Sequence, residues 1–233
     1  MTLLEKYRPK TLKEFLPSKD LDKKVMKIRD AIQEKHPVLI WGNPGIGKTT
    51  LAHIMAKEQY YHVYETNASE ARRKENLQYI LKTIQMNSIQ KVLYLFDEAE
   101  GLNWRSVENI MIQILKKTIH PIILTANDRY KIPQTVQRLC IVIKLYEPSS
   151  NDIALYVKKI AEKEGFKVHY GTMNRDVRNT MQKALYGGEV YKDTNQFERE
   201  RKIFMKEEMN VKKTDLIWLM DNAHYGFTGR NLI

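Results

Sequence analysis

The chain has 233 residues, of which 42% are hydrophobic, so it can bury the core of one large domain or two small ones, and wholesale disorder is not expected. Lysine and arginine (39) exceed aspartate and glutamate (28) by 11, which favours a polyanionic partner such as nucleic acid, although a surface of solvated lysines would explain the same balance. The single cysteine, Cys140, excludes an intramolecular disulfide and a zinc site built from several cysteines.

The apolar segments are all short. The N-terminal residues Met1–Pro9 lack the apolar region of a secretory signal, and no run of about 18 apolar residues occurs, so no membrane span is expected. Cys140 lies in the apolar segment Leu139–Ile143, which favours a buried, unreactive thiol. We therefore expect an intracellular protein in a reducing compartment, cytoplasmic in an archaeal or viral source and nuclear in a eukaryotic one.

Apolar runs alternate with amphipathic segments between residues 20 and 146. Strands are predicted at Val38–Trp41, Val63–Glu65, Val92–Phe96, Pro121–Thr125 and Ile141–Leu145. Helices are predicted at Leu51–Gln59, Glu70–Met86 and Ser106–Lys117. Nearly continuous apolar strands that alternate with helices indicate an α/β fold, with a mostly parallel sheet covered on both faces.

The strand signals end at Glu147–Ser150. A helix that begins at Ser149 or Ser150 is predicted to reach Gly165, with Ile153, Val157 and Ile160 on one face. Further helices are predicted at Asn174–Tyr186 and Asn195–Glu208. We therefore place a domain boundary near residue 148, with a smaller, all-helical domain after it.

A phosphate-binding loop follows the first predicted strand. Residues Gly42–Thr49 fit the pattern G-x-x-x-x-G-K-[ST], and a helix is predicted directly after them. The candidate nucleotide contacts are Gly42, Asn43, Pro44, Gly45, Ile46, Gly47, Lys48, Thr49 and Thr50. Glycines let backbone N–H groups point at phosphate oxygens, Lys48 is expected to reach the β- and γ-phosphates, and Thr49 is expected to hold Mg²⁺.

Polar side chains follow two other predicted strands. Asp97 and Glu98 close the strand Val92–Phe96, where α/β sheets bind their ligands. Asp97 is the candidate carboxylate for Mg²⁺, and Glu98 is the candidate that orients or activates the attacking water. Asn127 follows the strand Pro121–Thr125 and is either a contact to this water or the γ-phosphate, or a turn-forming asparagine.

Several segments resemble, in order and spacing, the motifs of AAA+ DNA sliding-clamp loaders. The matching segments are Glu5–Pro9, Glu65–Arg72, Asp97–Gly101, Thr125–Asp128 and Asn174–Arg178. Glu70 and Glu100 stand where the family usually has aspartate. The resemblance implies an AAA+ P-loop NTPase fold, a parallel β-sheet sandwiched by helices, followed by a small all-helical lid domain.

The resemblance also suggests roles for individual residues. It makes Tyr7, Arg8 and Pro9 candidate contacts to the adenine. It supports Asn127 as the sensor-1 residue and Arg178 as a sensor-2 arginine that reaches the γ-phosphate from the lid. These assignments add Asn127 and Arg178 to Lys48, Asp97 and Glu98 as catalytic candidates.

Within this family the chain resembles the large subunit of replication factor C rather than the small ones. Small subunits carry Ser-Arg-Cys before the last strand and supply an arginine finger to a neighbour; here Arg138 is displaced, which weighs against it as a finger. Phe197–Phe204 and Asp215–Asn222 resemble large-subunit motifs. The predicted domains are 1–148 and 149–233, with the start of a shortened collar after about residue 210. The chain is then either a fragment or a naturally short form.

The implied cofactors are ATP and Mg²⁺, and the implied partners are clamp-loader small subunits, a PCNA-like sliding clamp and primer–template DNA, without a membrane. Candidate phosphate contacts on DNA are Arg72, Arg73, Lys74 and Arg105, although a run such as Arg72–Lys74 is more often a solvated helix start. In the family, the helix that follows the motif matched by Glu65–Arg72 also touches the clamp. The apolar stripe Leu77, Ile80, Leu81 and Ile84 is expected mainly to pack on the chain's own sheet.

The isolated chain is expected to bind ATP and to hydrolyse it slowly, because a neighbour's arginine would add about 10³–10⁵ in rate. Two other functions stay open. One is another AAA+ replication ATPase, such as an origin-binding protein or a helicase loader. The other is a scaffold that binds nucleotide with little hydrolysis, against which the presence of Glu98 weighs.

Overall fold

The computed structural model describes residues 3–67, 74–86 and 90–165, together with residues 177, 178 and 180. Its centre is a five-stranded parallel sheet. The strands are β1 (Val38–Trp41), β2 (His62–Asn67), β3 (Val92–Asp97), β4 (Ile122–Ala126) and β5 (Ile141–Lys144). Their spatial order is β2-β3-β4-β1-β5, and every neighbouring pair is parallel. The predicted α/β fold with a parallel sheet is therefore confirmed.

Helices connect these strands. The helices are α1 (Leu3–Lys6), α2 (Leu21–Gln33), α3 (Lys48–Glu58), α4 (Lys74–Thr83), α5 (Trp104–Lys117), α6 (Gln134–Gln137) and α7 (Ser150–Glu164). Short 3₁₀ turns lie at Ala99–Gly101 and Arg129–Lys131. The predicted helices within the described residues are present as α3, α4, α5 and α7.

Side chains of the sheet alternate between two cores. On β3, Leu93 and Leu95 lie in the core that α2 and α3 cover, whereas Tyr94 and Phe96 lie in the core that α4 and α5 cover. This two-sided burial is why β1, β3 and β4 are apolar at nearly every position, whereas the edge strand β2 is mostly polar and exposed. In α4, Leu77, Ile80 and the following Ile84 are buried and Leu81 is half-buried against the same core, as the apolar stripe predicts.

Helix α2 is the main element that the sequence patterns did not reveal. Its buried residues Val25, Ile28 and Ile32 recur at helical spacing, but charged residues separate them. Its N-cap, Asp20, has a left-handed backbone (φ 54°) and makes no side-chain capping bond, so a typical start signal is absent.

The chain divides into two units, one of Arg8–Pro148 and one that joins Met1–Tyr7 to Ser149–Ile233. In the second unit, the Ser149 side chain caps α7 by accepting a hydrogen bond from the Asp152 N–H. Ile153, Val157 and Ile160 of α7 are buried, as predicted. The domain limits 1–148 and 149–233 stay a prediction.

Two predicted helices and the proposed collar start lie wholly or mostly outside the described residues. Within Asn174–Tyr186, residues 177, 178 and 180 are helical. The predicted helix Asn195–Glu208 and the residues after about 210 are not described. Among the described residues, no helix has both the length and the apolar character needed to cross a bilayer.

Candidate nucleotide-binding site

The loop between β1 and α3 has a backbone that glycine is needed to form. Gly42 has φ 153°, and a Cβ atom there would lie 2.4 Å from the backbone oxygen of Leu145. Gly47, the N-cap of α3, has φ 95°, and its Cβ would lie 2.8 Å from the Phe15 ring. Ile46 is buried in the sheet core and anchors the loop, while Asn43 and Pro44 are exposed. The loop thus ends at the N-terminus of α3, where the helix dipole and the N–H groups of the first turn favour anions.

Lys48, the first residue of α3, is only 7% exposed. Its ammonium donates hydrogen bonds to the backbone oxygens of Gly42 (2.9 Å) and Asn43 (2.8 Å). It also donates to the Asn127 side-chain oxygen at 2.7 Å. The loop lysine and the amide that follows β4, predicted from separate sequence patterns, therefore lie in direct contact.

A second cluster joins the start of α3 to the end of β3. The Thr49 hydroxyl donates to Asp97 Oδ1 at 2.7 Å, and the buried Thr125 hydroxyl donates to the same oxygen. The Glu98 N–H donates to Thr125 Oγ1 at 3.2 Å. A hydroxyl and a carboxylate are the hard oxygen ligands that Mg²⁺ prefers, and Mg²⁺ needs only one or two protein groups when phosphates and water complete its shell. Among the described residues, no group of three or more His, Cys, Asp or Glu could hold a metal ion.

Glu98 and Glu100 differ in their environment. Glu98 is exposed and has a left-handed backbone, φ 53°, which is uncommon for a residue with a side chain. Glu100 is half-buried in the 3₁₀ turn, and its Oε1 accepts hydrogen bonds from the Asn127 backbone N–H (3.0 Å) and Nδ2 (2.6 Å). Glu98 stands at the site edge open to solvent, whereas Glu100 holds a neighbouring residue.

Glu100 and Thr125 are site residues that sequence reasoning missed. Both residues lie within motifs that the sequence showed: Glu100 lies in Asp97–Gly101, and Thr125 lies two residues before Asn127. Nothing in either motif says which strand neighbours which, and only the β3–β4 pairing brings these side chains together.

Other predicted contacts lie at the margins of the site or in the other unit. Arg8 Nε donates to Thr50 Oγ1 at 3.1 Å, which ties Arg8 to the helix of the phosphate loop, and the neighbouring Pro9 is half-buried. Tyr7 belongs to the second unit, where its hydroxyl donates to Glu164 Oε1 at 2.5 Å. Hydrogen bonds from Lys6 and Tyr7 lower the pKa of Glu164, and the same contact raises the pKa of Tyr7.

The predicted arginines are not all placed by the structure. Arg178 is an exposed helical residue of the second unit. Arg105 is exposed in the first turn of α5, and Arg138 is exposed at the C-cap of α6. Arg72 and Arg73 lie outside the described residues; Lys74 begins α4, but its side chain is not described.

Cys140 follows α6 and is half-buried against the core under α5. Burial raises the pKa of its thiol to about 12. The thiol stays protonated near neutral pH, which agrees with the predicted unreactive cysteine.

Residues 38–147 match the family of ATPases associated with various cellular activities (AAA). The chain is also similar to curated replication factor C large subunits. It is 33% identical to the one of Methanococcus aeolicus over 178 residues, which is 72% of this chain and 38% of the relative. It is 36% identical to the one of Methanosarcina mazei over 171 residues, 69% of this chain and 28% of the relative. It is 33% identical to the one of Methanococcus vannielii over 207 residues, which is 80% of this chain and 42% of the relative. The chain thus spans less than half of the length of these relatives.

Solved structures of the same fold include the Thermotoga maritima RuvB Holliday junction branch migration motor, with TM-score 0.60 and 19% identity over 92% of this chain and 72% of that one. A point mutant of this RuvB has TM-score 0.63 at 18% identity, over 90% of this chain and 77% of that one. At this identity the likeness concerns the fold alone. Together with the phosphate loop and the parallel sheet, the family match shows that residues 38–147 form an AAA-family ATPase domain, and the chain is similar to the replication factor C large subunits.

Proposed function

We propose that this chain binds Mg·ATP between the β1–α3 loop and the carboxyl ends of β3 and β4, and hydrolyses it. The observation that carries the proposal is the hydrogen-bonded set of Lys48 with Asn127 and of Thr49 with Asp97. These residues come from three separate segments and converge at the sheet edge where α/β folds bind ligands. Catalysis of phosphoryl transfer is mainly positioning and charge stabilisation, which such a set can supply.

Each side chain has a distinct task in this proposal. Lys48 and the N–H groups at the start of α3 bind the β- and γ-phosphates, and Thr49 and Asp97 hold Mg²⁺, which neutralises charge on the phosphates. Glu98, exposed at the edge of the site, is placed to accept a proton from or orient the attacking water. Asn127 contacts this water or the γ-phosphate.

We further propose that the chain acts as the large-subunit-like member of a DNA sliding-clamp loader, by analogy with its curated relatives. Its partners would be clamp-loader small subunits, a ring-shaped PCNA-like clamp, and primer–template DNA bound through phosphates. The candidate DNA contacts remain Arg72, Arg73, Lys74 and Arg105, of which Arg105 is exposed. Because the apolar side of α4 packs in the core, a clamp would have to touch its exposed side, where Tyr79 is 62% exposed.

Several further contacts are proposed for the complete site. Tyr7, Arg8 and Pro9 are proposed to lie near the adenine, and Arg178 to reach the γ-phosphate from the lid. An arginine from a neighbouring subunit would complete the charge stabilisation around the γ-phosphate. We therefore expect slow hydrolysis by the chain alone and faster hydrolysis in an assembly.

The test of hydrolysis is Glu98→Gln in the complex with small subunits, clamp and primed DNA. We expect the variant to bind ATP normally and to lose at least about a hundredfold in turnover, because a general base contributes about 10²–10⁴. The matched control is Glu34→Gln, an exposed glutamate at the end of α2. Unchanged turnover in Glu98→Gln would favour a nucleotide-binding scaffold or another base.

The clamp-loader assignment is tested by the mass of the complex that forms with ATP. We expect a stable assembly with clamp-loader small subunits and a sliding clamp that requires ATP. Assembly with a replicative helicase instead of a clamp would favour an AAA+ helicase loader.

A further inference from the structure

We propose that Glu100 is a positioning residue, which locks the Asn127 side-chain amide in one orientation and so aims it at the reacting phosphate. The proposal rests on the ATPase function proposed above, and it assigns a task to a carboxylate that lies outside the metal and phosphate contacts. Glu100 would act through Asn127 rather than on the substrate.

The first step of the argument is the contact itself. Glu100 Oε1 receives two hydrogen bonds from the same residue, one from the Asn127 backbone N–H and one from its side-chain amide, at 3.0 and 2.6 Å. A single acceptor that binds both parts fixes the position of the residue as well as its side chain. Because Glu100 and Asn127 follow neighbouring parallel strands, β3 and β4, this contact also ties the two strand ends together.

The second step is that the amide has only one orientation compatible with its surroundings. On one side of it Lys48 can only donate, so the Asn127 oxygen must face the ammonium. On the other side Glu100 Oε1 already accepts the backbone N–H, so the atom beside it must be the amide nitrogen. A flipped amide would oppose donor to donor and acceptor to acceptor, and it would lose both hydrogen bonds.

The third step concerns what the orientation presents. An asparagine amide carries two N–H donors, and Glu100 takes one of them, which leaves the second to donate to a phosphate oxygen or a water. The Asn127 oxygen meanwhile stays directed at Lys48, the residue that binds the same phosphates. Without Glu100 the amide would be free to rotate, and the donor would be correctly aimed for only part of the time.

The second carboxylate oxygen of Glu100 gives independent support for a functional role, because its environment is unfavourable for stability. Glu100 Oε2 is buried and has no hydrogen-bond partner among the described residues. Leaving a buried acceptor without a hydrogen bond destabilises the fold, so stability alone would not favour a carboxylate here. The need for the two hydrogen bonds from Asn127 to Oε1 explains why a carboxylate occupies this position of the turn.

The test is a double-mutant cycle in the full chain within its assembly, comparing wild type, Glu100→Ala, Asn127→Ala and the double variant. We expect Glu100→Ala to lower kcat about 10–100-fold, by analogy with the loss seen when the hydrogen-bond partner of a metal ligand is removed, and to change the KM for ATP less than about twofold. In the Asn127→Ala background, Glu100→Ala should have no further effect on kcat, because its target is gone. Equal losses in both backgrounds would refute the proposal.

Two further variants separate positioning from folding. Glu100→Gln keeps an oxygen that accepts from Asn127, so its kcat should lie nearer to wild type than that of Glu100→Ala. Glu108→Ala is the matched control, since Glu108 is half-buried and accepts a hydrogen bond from Thr135 away from the site. Glu108→Ala should leave kcat unchanged.

A spectroscopic arm is independent of turnover. In the wild-type chain, one Asn127 side-chain amide proton should exchange slowly with solvent in NMR spectra, and Glu100→Ala, but not Glu108→Ala, should abolish this protection. An unprotected Asn127 amide in wild type would overturn the inference even if the chain hydrolyses ATP. Conversely, absence of any turnover that Lys48→Ala removes, with the amide still protected, would overturn the proposed function and with it the catalytic part of the inference.

Discussion

The two halves of the candidate site are built in different ways. The phosphate-loop half, Gly42–Thr49, is one continuous segment whose shape depends on backbone angles and on the absence of Cβ atoms at Gly42 and Gly47. The strand-end half consists of Asp97, Glu100, Thr125 and Asn127, and it depends on side-chain hydrogen bonds between β3 and β4. The difference implies that the first half fails through steric strain or loss of one charge, whereas the second fails through lost hydrogen bonds.

Lys48→Ala should have the largest of these effects, because Lys48 is the buried charge of the phosphate-loop half and also contacts Asn127 of the strand-end half. Removing a buried, hydrogen-bonded charge costs about 2–5 kcal/mol of binding free energy. Calorimetry with Mg·ATP should therefore show binding that is weakened beyond detection. Lys57→Ala, which removes an exposed lysine from the same helix, should bind as wild type does. Equal binding by Lys48→Ala would remove the basis of the proposed function.

Gly42→Ala breaks the phosphate-loop half by steric means. The added methyl would meet the Leu145 backbone oxygen at 2.4 Å, and the backbone at φ 153° is itself unfavourable for alanine. We expect a loss of at least about 2 kcal/mol in the free energy of unfolding, measured by urea denaturation.

Gly165→Ala is the matched control for this strain. Gly165 also has a positive φ, 72°, but nothing lies within 4 Å of its added Cβ. Gly165→Ala should therefore lower the free energy of unfolding by only about 1 kcal/mol, which is the cost of the backbone conformation alone. Equal losses in the two variants would mean that the Leu145 contact adds nothing to the constraint on Gly42.

Thr125→Val should have the smallest of these effects, and it tests the strand-end half. Valine keeps the shape of threonine but removes the hydroxyl that links Asp97 to the Glu98 N–H. We expect a loss of about 1–2 kcal/mol in stability and a higher Mg²⁺ concentration for half-maximal ATP binding. Thr135→Val, which loses a hydroxyl outside the site, should leave the Mg²⁺ dependence unchanged. A Thr125→Val variant with wild-type Mg²⁺ dependence would show that Asp97 is oriented without this contact.

The strands of the fold could be predicted from the sequence because each carries its own local pattern. Short apolar runs bounded by polar residues form β1, β3, β4 and β5. The more exposed β2 gave a weaker strand pattern at Val63–Glu65. Helix α2 could not be located as easily, since its start lacks a side-chain cap and its apolar residues are separated by lysines and aspartates. The order β2-β3-β4-β1-β5 has no local pattern at all.

The site divides in the same manner. Lys48 and Thr49 could be named from the glycine pattern, because the pattern specifies the backbone that binds phosphate. Asp97, Glu98 and Asn127 could be named as strand-end polar residues, but their partners could not. Glu100 was only a motif position until β3 and β4 were seen as neighbours, and Arg178 stays a proposal because it belongs to the other unit.

The sequence by itself determined the α/β class, the phosphate loop and the identity of the acids and amide after the strands, because each depends on residues that are close along the chain. Only the tertiary structure decided which of these polar groups touch, with Lys48 on Asn127, Thr49 on Asp97 and Glu100 on Asn127. The physical reason is that strand pairing depends on burial summed over both faces of the sheet, which residues distant along the chain share and no single segment encodes.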